Sequence, residues 1–240
     1  MRQDRRPYFI KQCFTRYAAF YAKQYLEPGF DKLGPGLDVA RPWDIELWGP
    51  NIEAGAYVHI RAALGHMIRL STWDNGDRQG RITLGDYVLL SPGTQIISSI
   101  GVTVGSNTMI ASGCYLSDSD WHDTYDRTAE HDKFAPIVLE ENVWLGYRTI
   151  VGKGVTIGKN SIIGAGSVVV TDIPANCVAA GNPAKVIKTL DPHRPIRTRA
   201  DLFAEPEKLA ADMDNLDRYL RRENTIFGWL RSVLQPSTRD

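Results

Sequence analysis

Aliphatic residues recur at every sixth position through the central part of this chain. The clearest run is Leu145, Val151, Ile157, Ile163 and Val169, and glycine follows directly after the first four of them. A helix repeats its apolar positions every three to four residues and a strand every two, so a strict period of six matches neither. The period fits a short strand and a tight turn, repeated around a coil with the aliphatic side chain inside. One such coil cannot bury its aliphatic face alone, so stability has to come from stacking many coils.

The same period continues upstream of this run. The positions in phase are Val104, Ile110 and Leu116, then Leu84, Leu90 and Ile96, and in a weaker copy Ile52, Val58 and Leu64. More than a dozen matching positions predict an all-β solenoid, a parallel β-helix of hexapeptide repeats, over residues 45–188.

Two long interruptions break the period. The first spans residues 71–81 and the second residues 117–136, while a smaller slip lies near Ile100. A coil tolerates no extra length, so inserted residues form loops, and such loops commonly lie on the binding face. We therefore expect both loops to contribute to a functional site.

The segments outside the repeats, 1–44 and 189–240, are predicted to contain helices. Residues 8–26 are rich in aromatics and end before a Pro-Gly pair, and residues 201–234 keep a helical spacing that Gly228 is expected to interrupt. These helices are predicted to cap the coil or to meet a neighbouring subunit. The less favoured alternative is contact with membrane headgroups, because basic residues lie beside the aromatics: Arg16, Lys23, Arg221, Arg222 and Arg231.

Composition excludes several classes of function. The 28 basic residues balance 28 acidic ones, and this zero net charge removes the long-range field on which nucleic-acid binding depends. Three widely spaced cysteines, Cys13, Cys114 and Cys177, suit neither a disulfide framework nor a zinc ribbon. Neither a signal peptide nor an apolar run of roughly 18 residues is recognisable. We expect a soluble cytoplasmic protein with no nucleic-acid partner.

Beyond Gly113 the sequence carries motifs more specific than the period. They are Tyr115–His122, Pro136–Leu139, Asn142–Gly146, Gly154–Gly158, Ile163–Val169, Thr171–Asn176 and Ala180–Lys188. This stretch resembles the hexapeptide-repeat acyltransferases, the group that includes galactoside, maltose and nodulation-factor acetyltransferases. The resemblance implies a left-handed parallel β-helix of triangular section, assembled as a homotrimer with active sites between subunits. It also implies transfer of an acyl group, usually acetyl from acetyl-CoA, to a saccharide or amine acceptor.

The resemblance makes His122, in the second loop, the catalytic general base. A neutral imidazole can take a proton from an attacking hydroxyl or amine near neutral pH. Carboxylates nearby in sequence could orient the ring or bind the acceptor, and the sequence does not choose among Asp118, Asp120 and Asp123. Trp121 and, in the first loop, Asp74 are further candidates on the acceptor side. For each of these residues the alternative is an ordinary solvated loop side chain.

The donor would lie along the turns of the coil, as the resemblance implies. The residues that correspond are Trp144, Gly146, Tyr147, Gly164, Ala165, Gly166 and Thr171, with Lys185 and Lys188 near the phosphates of CoA. Small residues are equally what tight coil corners require. No serine or cysteine lies in a nucleophile elbow, so we expect direct attack on the thioester, with a backbone N–H near Gly146 and Tyr147 stabilising the oxyanion.

Some features separate the chain from the galactoside type. The asparagine and aspartate of the rungs before the catalytic loop are replaced here by residues 90–93 and 97–99. A different acceptor is therefore expected, and the motifs leave open O- or N-acylation, the acyl length, and CoA or an acyl carrier protein as donor.

Two other functions use the same solenoid. A γ-type carbonic anhydrase needs three zinc-binding histidines, two of them close in sequence. Arg127 stands five positions after His122, so the close pair is missing, and His131 lies on the same loop without a fixed spacing. We expect no metal. A scaffold without catalysis is the third candidate, and the intact motifs disfavour it.

Overall fold

The computed structural model describes residues 4–74, 76, 78–128 and 133–235 of the chain. Short strands, numbered β1 to β20 in chain order, form three sheets. Sheet A contains β1 (Lys32–Leu33), β4 (Ile52–Ala54), β7 (Ile82–Leu84), β10 (Val102–Val104), β13 (Ile137–Leu139) and β16 (Thr156–Ile157). Sheet B contains β2 (Asp38–Ala40), β5 (His59–Arg61), β8 (Leu89–Leu90), β11 (Met109–Ile110), β14 (Trp144–Leu145), β17 (Ile162–Ile163), β19 (Cys177–Gly181) and β20 (Ala184–Thr189). Sheet C contains β3 (Ile45–Trp48), β6 (Ile68–Thr72), β9 (Gln95–Ser98), β12 (Tyr115–Ser117), β15 (Ile150–Val151) and β18 (Val168–Val169).

The three sheets are the sides of one continuous coil. Three consecutive strands complete a turn, and each strand pairs in parallel with the strand of the same sheet one turn later. Val102 of β10, for example, lies opposite Ile82 of β7 and Ile137 of β13. The last strand, β20, returns antiparallel to β19. The prediction of a parallel β-helix built from hexapeptide repeats is confirmed.

The periodic aliphatic residues fill the interior of this coil. Leu145, Val151, Ile157, Ile163 and Val169 are all completely buried, one from each successive strand. Burying one such side chain stabilises the fold by roughly 1.5–3 kcal/mol. The period of six is therefore the spacing from one inward side chain to the next around the coil.

The N-terminal end of the coil differs from the repeat pattern in two ways. The coil begins at Lys32, ahead of residue 45, since Leu33, Val39 and Ile45 also stand six apart and pack against the core. The expected inward position of Leu64 was wrong, because its side chain is 80% exposed. Leu64 lies at the tip of an enlarged turn between β5 and β6, which backbone hydrogen bonds between Ala63 and His66 close.

Two edges of the coil carry the candidate site residues. The B/C edge, where the chain passes from sheet B to sheet C, is the stack of turns 63–66, 91–94, 111–114, 146–149 and 164–167. The C/A edge, where it passes from sheet C to sheet A, contains the described residues of the segments 49–51, 73–81, 99–101, 118–136, 152–155 and 170–172. Both long interruptions of the repeat thus fall on the C/A edge.

The described chain forms two compact units, Tyr21–Ala200 and a second one made of residues up to Phe20 and from Asp201 onward. The second unit contains α1 (Tyr8–Tyr21) up to Phe20, α2 (Pro206–Leu220) and α3 (Ile226–Leu234). Within it, the Tyr8 hydroxyl donates to Asp214 at 2.5 Å, and Arg221 pairs with Asp4 at 2.9 Å.

The helical expectations for the two ends are largely met. Helix α1 and a π-helical turn, Ala22–Leu26, account for the helix predicted over residues 8–26. Gly228 lies inside α3, so the break between the C-terminal helices falls instead at residues 221–225, where the Thr225 side chain accepts from the Gly228 N–H. No helix in the described ranges has the length and apolarity to cross a bilayer.

Candidate active site on two edges of the coil

The two loops on the C/A edge meet through a pair of tryptophans. Trp73 follows β6 at the start of the first loop, and Trp121 lies in the second loop. Their rings pack edge to face, with centroids 5.9 Å apart and an interplanar angle of 79°. Although residues 75, 77 and 129–132 lie outside the described part of the chain, the beginnings of both loops are joined here.

His122 directly follows this anchored tryptophan and is exposed. The Trp121 backbone adopts a left-handed conformation (φ 65°), and its N–H donates to the Ser119 hydroxyl at 3.1 Å. The indole N–H of Trp121 donates to Ser117 Oγ, also at 3.1 Å. These contacts fix the backbone that leads to His122, while no described residue hydrogen-bonds to its ring. The imidazole is presented outward from the C/A edge.

Asp118 is buried and holds the corner of the coil. Its carboxylate accepts the Ser98 hydroxyl at 2.8 Å and the N–H groups of Ser99, Ile100 and Gly101 at 2.7, 2.9 and 2.7 Å. These donors belong to the turn with the small slip in the repeat, which needs a side chain to satisfy its N–H groups. The Asp118 carboxylate is therefore engaged by the corner of the coil and makes no hydrogen bond to His122.

The remaining carboxylates of the loops are engaged in local contacts. Asp120 forms an ion pair with Lys153. Asp123 pairs with Lys133 at 2.6 Å and accepts the Tyr125 N–H at 2.8 Å. The hydrogen bond from Lys133 is the main reason that the pKa of the Asp123 carboxyl lies well below its ordinary value. Asp74 accepts the Gly76 N–H at 2.9 Å. Among the described residues none of the three reaches the His122 ring.

The B/C edge carries most of the candidate donor residues. Trp144, 45% exposed, begins β14, which leads into this edge, and the turns there contain Gly146, Tyr147 and residues 164–166. The Gly146 N–H donates to the Ile163 carbonyl at 2.8 Å and is used in the coil. The N–H of Tyr147 has no acceptor among the described residues, so it is the donor that the turn can offer to an oxyanion.

The turn 164–166 leaves the surface of this edge open. A Cβ added at Gly166 would meet no atom within 4 Å, whereas one at Gly164 would lie 2.9 Å from the Ala180 Cβ. Gly164 is thus required by coil packing, while Ala165 and Gly166 face an unobstructed surface. A thin chain such as pantetheine fits against such a turn.

The other donor candidates are distributed over the coil. Lys185 and Lys188 lie on β20, opposite Ala180 and Val178, and both are exposed. Thr171 lies on the C/A edge, in the turn whose Asp172 accepts the Thr156 N–H at 2.7 Å. The structure therefore brings His122 and Thr171 to one edge, and Trp144, Gly146, Tyr147 and residues 164–166 to another.

A groove of about 630 Å³ runs along the B/C edge and was not predicted from the sequence. It is lined by the turns of four successive coils, among them Tyr147, Arg148, His66 and Arg69. Its signal in the sequence is Arg148, which stands where the neighbouring turns of this edge have glycine at their third position, and this pattern becomes recognisable once the turns are aligned. The sequence analysis also missed Trp73. It lies at the start of the first loop and is the partner of Trp121, which precedes His122 in the second loop.

A metal centre is not among the features of the described residues. No group of three or more histidine, cysteine, aspartate or glutamate side chains in those ranges could hold a metal ion. His131 lies outside the described residues.

Comparison with known proteins gives the family. A family model described as "Bacterial transferase hexapeptide (six repeats)" matches residues 136–171. The galactoside O-acetyltransferase of Lactococcus lactis subsp. lactis (strain IL1403) is 32% identical over 168 residues, which cover 70% of this chain and 67% of that protein. The chain therefore belongs to the hexapeptide-repeat acyltransferase family, and its coil is a left-handed parallel β-helix.

Two further comparisons span different parts of the molecule. The galactoside O-acetyltransferase of Escherichia coli (strain K12) is 43% identical over 98 residues, or 40% of this chain, so the chain spans about half of that relative (48%). The crystal structure of AntD, an N-acyltransferase from Bacillus cereus, in complex with dTDP and 3-hydroxybutyryl-CoA, covers 80% of this chain and 96% of that one. Its TM-score is 0.48 and its sequence identity 17%.

Proposed function

We propose that this chain is an acetyltransferase, moving an acetyl group from acetyl-CoA to a hydroxyl or amine of a saccharide acceptor. The observation that carries the proposal is an exposed histidine next to an anchored tryptophan, within a coil of the hexapeptide-repeat acyltransferase family. The open turns of the B/C edge support a CoA co-substrate. The acceptor class rests on the galactoside O-acetyltransferases among the relatives.

The proposed assembly is a homotrimer with active sites between subunits. Within one chain His122 lies on the C/A edge, while Trp144 and Tyr147 lie at or beside the B/C edge. Two edges of one prism cannot face the same small molecule, so a complete site requires the C/A edge of one subunit and the B/C edge of another. In this arrangement the coil, which begins at Lys32, is the catalytic body.

The chemistry proposed for the site is direct transfer. The acceptor oxygen or nitrogen attacks the thioester carbonyl while the His122 imidazole takes its proton. A carbon–oxygen or carbon–nitrogen bond forms, and the carbon–sulfur bond breaks. In this proposal the Tyr147 N–H donates to the oxyanion, and the imidazolium returns the proton to the departing sulfur. Buried Cys114 and Cys177 offer no accessible nucleophile for an acyl-enzyme.

The cytoplasm is the proposed location. All three cysteines are free, which suits a reducing compartment. Acetyl-CoA, as the proposed co-substrate, is consistent with the same location.

The test compares two exposed histidines. Acetyl-CoA should raise the melting temperature of the wild-type chain and of the His122→Ala variant alike. Release of CoA with a panel of saccharides and amino sugars should fall by roughly 10² to 10⁴ in His122→Ala. The His193→Ala control should keep wild-type turnover, since His193 lies outside the coil in the segment 190–200. Full turnover in His122→Ala would refute the general-base role, and the absence of any acetyl-CoA effect on melting would refute the acetyltransferase.

A further inference from the structure

The groove on the B/C edge is built from stacked turns of known order. The Gly93 N–H donates to the His66 carbonyl at 3.2 Å, and the Gly113 N–H to the Pro92 carbonyl at 2.9 Å. In the next turn of this stack, the Arg148 N–H donates to the Ser112 carbonyl at 2.9 Å. The Gly166 N–H then donates to the Tyr147 carbonyl at 2.7 Å. The groove and the proposed donor turns therefore occupy consecutive stretches of one edge.

Arg148 is an exception in this column. The third position of each turn has a left-handed backbone, and it is glycine at Gly65, Gly93, Gly113 and Gly166, with φ between 70° and 78°. Arg148 occupies the same position with φ 54°. Left-handed backbone disfavours a residue with a Cβ, so glycine would be the better choice for the coil alone. Other non-glycine residues of the coil, such as Tyr87 and Asn142, also have a left-handed backbone, so the feature that sets Arg148 apart is a charged side chain that lines the groove.

The turn before Arg148 makes room for its side chain. A Cβ added at Gly113 would lie 3.0 Å from Arg148 Cγ, so the side chain extends back along the edge over this glycine, into the groove. Its guanidinium lies 5.1 Å from the centroid of the Tyr147 ring. No ion pair joins Arg148 to a described carboxylate. The arginine is held by an aromatic ring and keeps its hydrogen-bond donors for another partner.

The groove is lined by basic residues, although the chain as a whole has no net charge. Among its described lining residues none is aspartate or glutamate, while Arg69, Arg148 and His66 are present. Arg69 gives its Nε–H to Glu46 at 2.7 Å, and no other hydrogen bond links its guanidinium to a described residue. The volume of about 630 Å³ is typical of a site for a small molecule. Guanidinium groups bind carboxylate and phosphate oxygens through paired hydrogen bonds.

We infer that the groove is the acceptor subsite and that Arg148, with Arg69, binds an anionic group of the saccharide, a carboxylate or a phosphate. This inference rests on the proposed acetyltransferase function, because it assigns the ligand by the position of the groove beside the donor turns. The phosphates of CoA are the other source of the same chemistry. The CoA phosphates are the less suitable ligand for Arg148. Lys185 and Lys188, which are the candidates to bind them, lie on β20, which follows the turn 164–167 at the end of the donor turns away from the groove.

The decisive variant is Arg148→Gly, which restores glycine to the column. It should fold at least as stably as the wild type, because the left-handed position then carries no Cβ. Ligand-observed NMR on the full chain would compare methyl β-glucuronide and glucose 1-phosphate with neutral methyl β-glucoside. At least one charged sugar should bind about tenfold more tightly than the neutral one, and added salt should reduce the difference.

The variants separate the acceptor from the donor. Arg148→Gly and Arg69→Gln should bring the charged and neutral sugars to equal affinity, and Arg148→Lys should retain part of the preference. The control Arg194→Gln, at an exposed arginine in the segment 190–200 outside the coil, should retain all of it. Equal binding of all three sugars by the wild type, or a preference that survives in Arg148→Gly, would overturn the inference. So would a loss of affinity for acetyl-CoA, but not for dephospho-CoA, in Arg148→Gly with sugar binding unchanged. All these outcomes are independent of turnover by His122.

Discussion

Trp73 and Trp121 pack edge to face across the C/A edge and couple the two loops that interrupt the repeat. One coil lies between the coil of Trp73 and the coil of Trp121. Its turn 99–101 donates its N–H groups to the Asp118 carboxylate. The second loop, with His122, is thereby anchored at its start by one ring from the first loop and by two serine hydroxyls. The position of the proposed catalytic base therefore depends on a residue that is distant from it in sequence.

Removing the Trp73 ring should disturb the position of His122 more than the stability of the coil. We expect Trp73→Ala to lower kcat about tenfold, since small displacements of a catalytic group are costly, with little change in the affinity for acetyl-CoA. Trp73→Phe should recover most of the rate because it retains an aromatic contact. Trp48→Ala, another exposed tryptophan on sheet C, is the control. Steady-state kinetics decide, and equal rates in the Trp73 and Trp48 variants would contradict the coupling.

Asp118 should matter for folding rather than for proton transfer. Asp118→Ala leaves three backbone N–H groups and a serine hydroxyl without their acceptor in a buried corner, which costs about 3 kcal/mol or more. Asp120→Ala, which removes a surface ion pair, should cost less than about 1 kcal/mol. Urea unfolding of the two variants measures this difference. Similar midpoints for both would show that the corner does not depend on Asp118.

The three cysteines should react very differently with a thiol reagent. Cys114 points into the coil, its thiol donates to the Gly146 carbonyl at 3.1 Å, and burial raises its pKa to about 11. Cys177 is also buried, whereas Cys13 is exposed. Because the thiolate is the reactive form and access is required, native protein should show one fast thiol and denatured protein three. A second fast thiol in the native state, mapped to Cys114 by mass spectrometry, would contradict the inward orientation of that side chain.

Acid should destabilise the coil partly through His59 on sheet B. Burial, reinforced by the charges of Arg61 and Arg199 and opposed by Asp38, lowers the pKa of His59 to about 4. Between the unfolded value near 6.5 and about 4, the unfolded chain binds a proton that the folded chain does not. Stability therefore falls as the pH decreases through this window. The melting temperature of His59→Gln should drop less between pH 7 and pH 5 than that of the wild type, and an equal or larger drop would disprove the linkage.

The interior of the coil could be predicted because one physical rule fixes it. Each strand contributes a single inward side chain, so the aliphatic period of Leu145, Val151 and Ile157 maps directly onto buried positions. The first coil was missed although Leu33, Val39 and Ile45 obey the same period, because prolines and glycines in its turns obscure the pattern. Leu64 failed because an enlarged turn shifts the phase, and a period alone does not reveal where a turn absorbs extra residues.

The site was predictable only in part, since it depends on contacts between distant segments. The motif located His122, but spacing could not distinguish Asp118, buried beneath the turn at 99–101, from Asp120 on the surface. Nor could it place His122 and Trp144 on different edges, because that follows from which sheet each strand joins. The role of Arg148 emerges only when the turns are stacked and the glycine column becomes visible.

Complementation between two inactive variants tests the shared site most directly. His122→Ala keeps an intact B/C edge, whereas Ala165→Trp keeps His122 and blocks the open turn. Each should be a folded trimer, checked by light scattering, with little acetyl transfer. Unfolded together and refolded at equal amounts, they should recover about a quarter of wild-type activity, because three quarters of the trimers are mixed and each mixed trimer has one complete site of three. No recovery in trimers shown to be mixed would contradict a site built from two subunits.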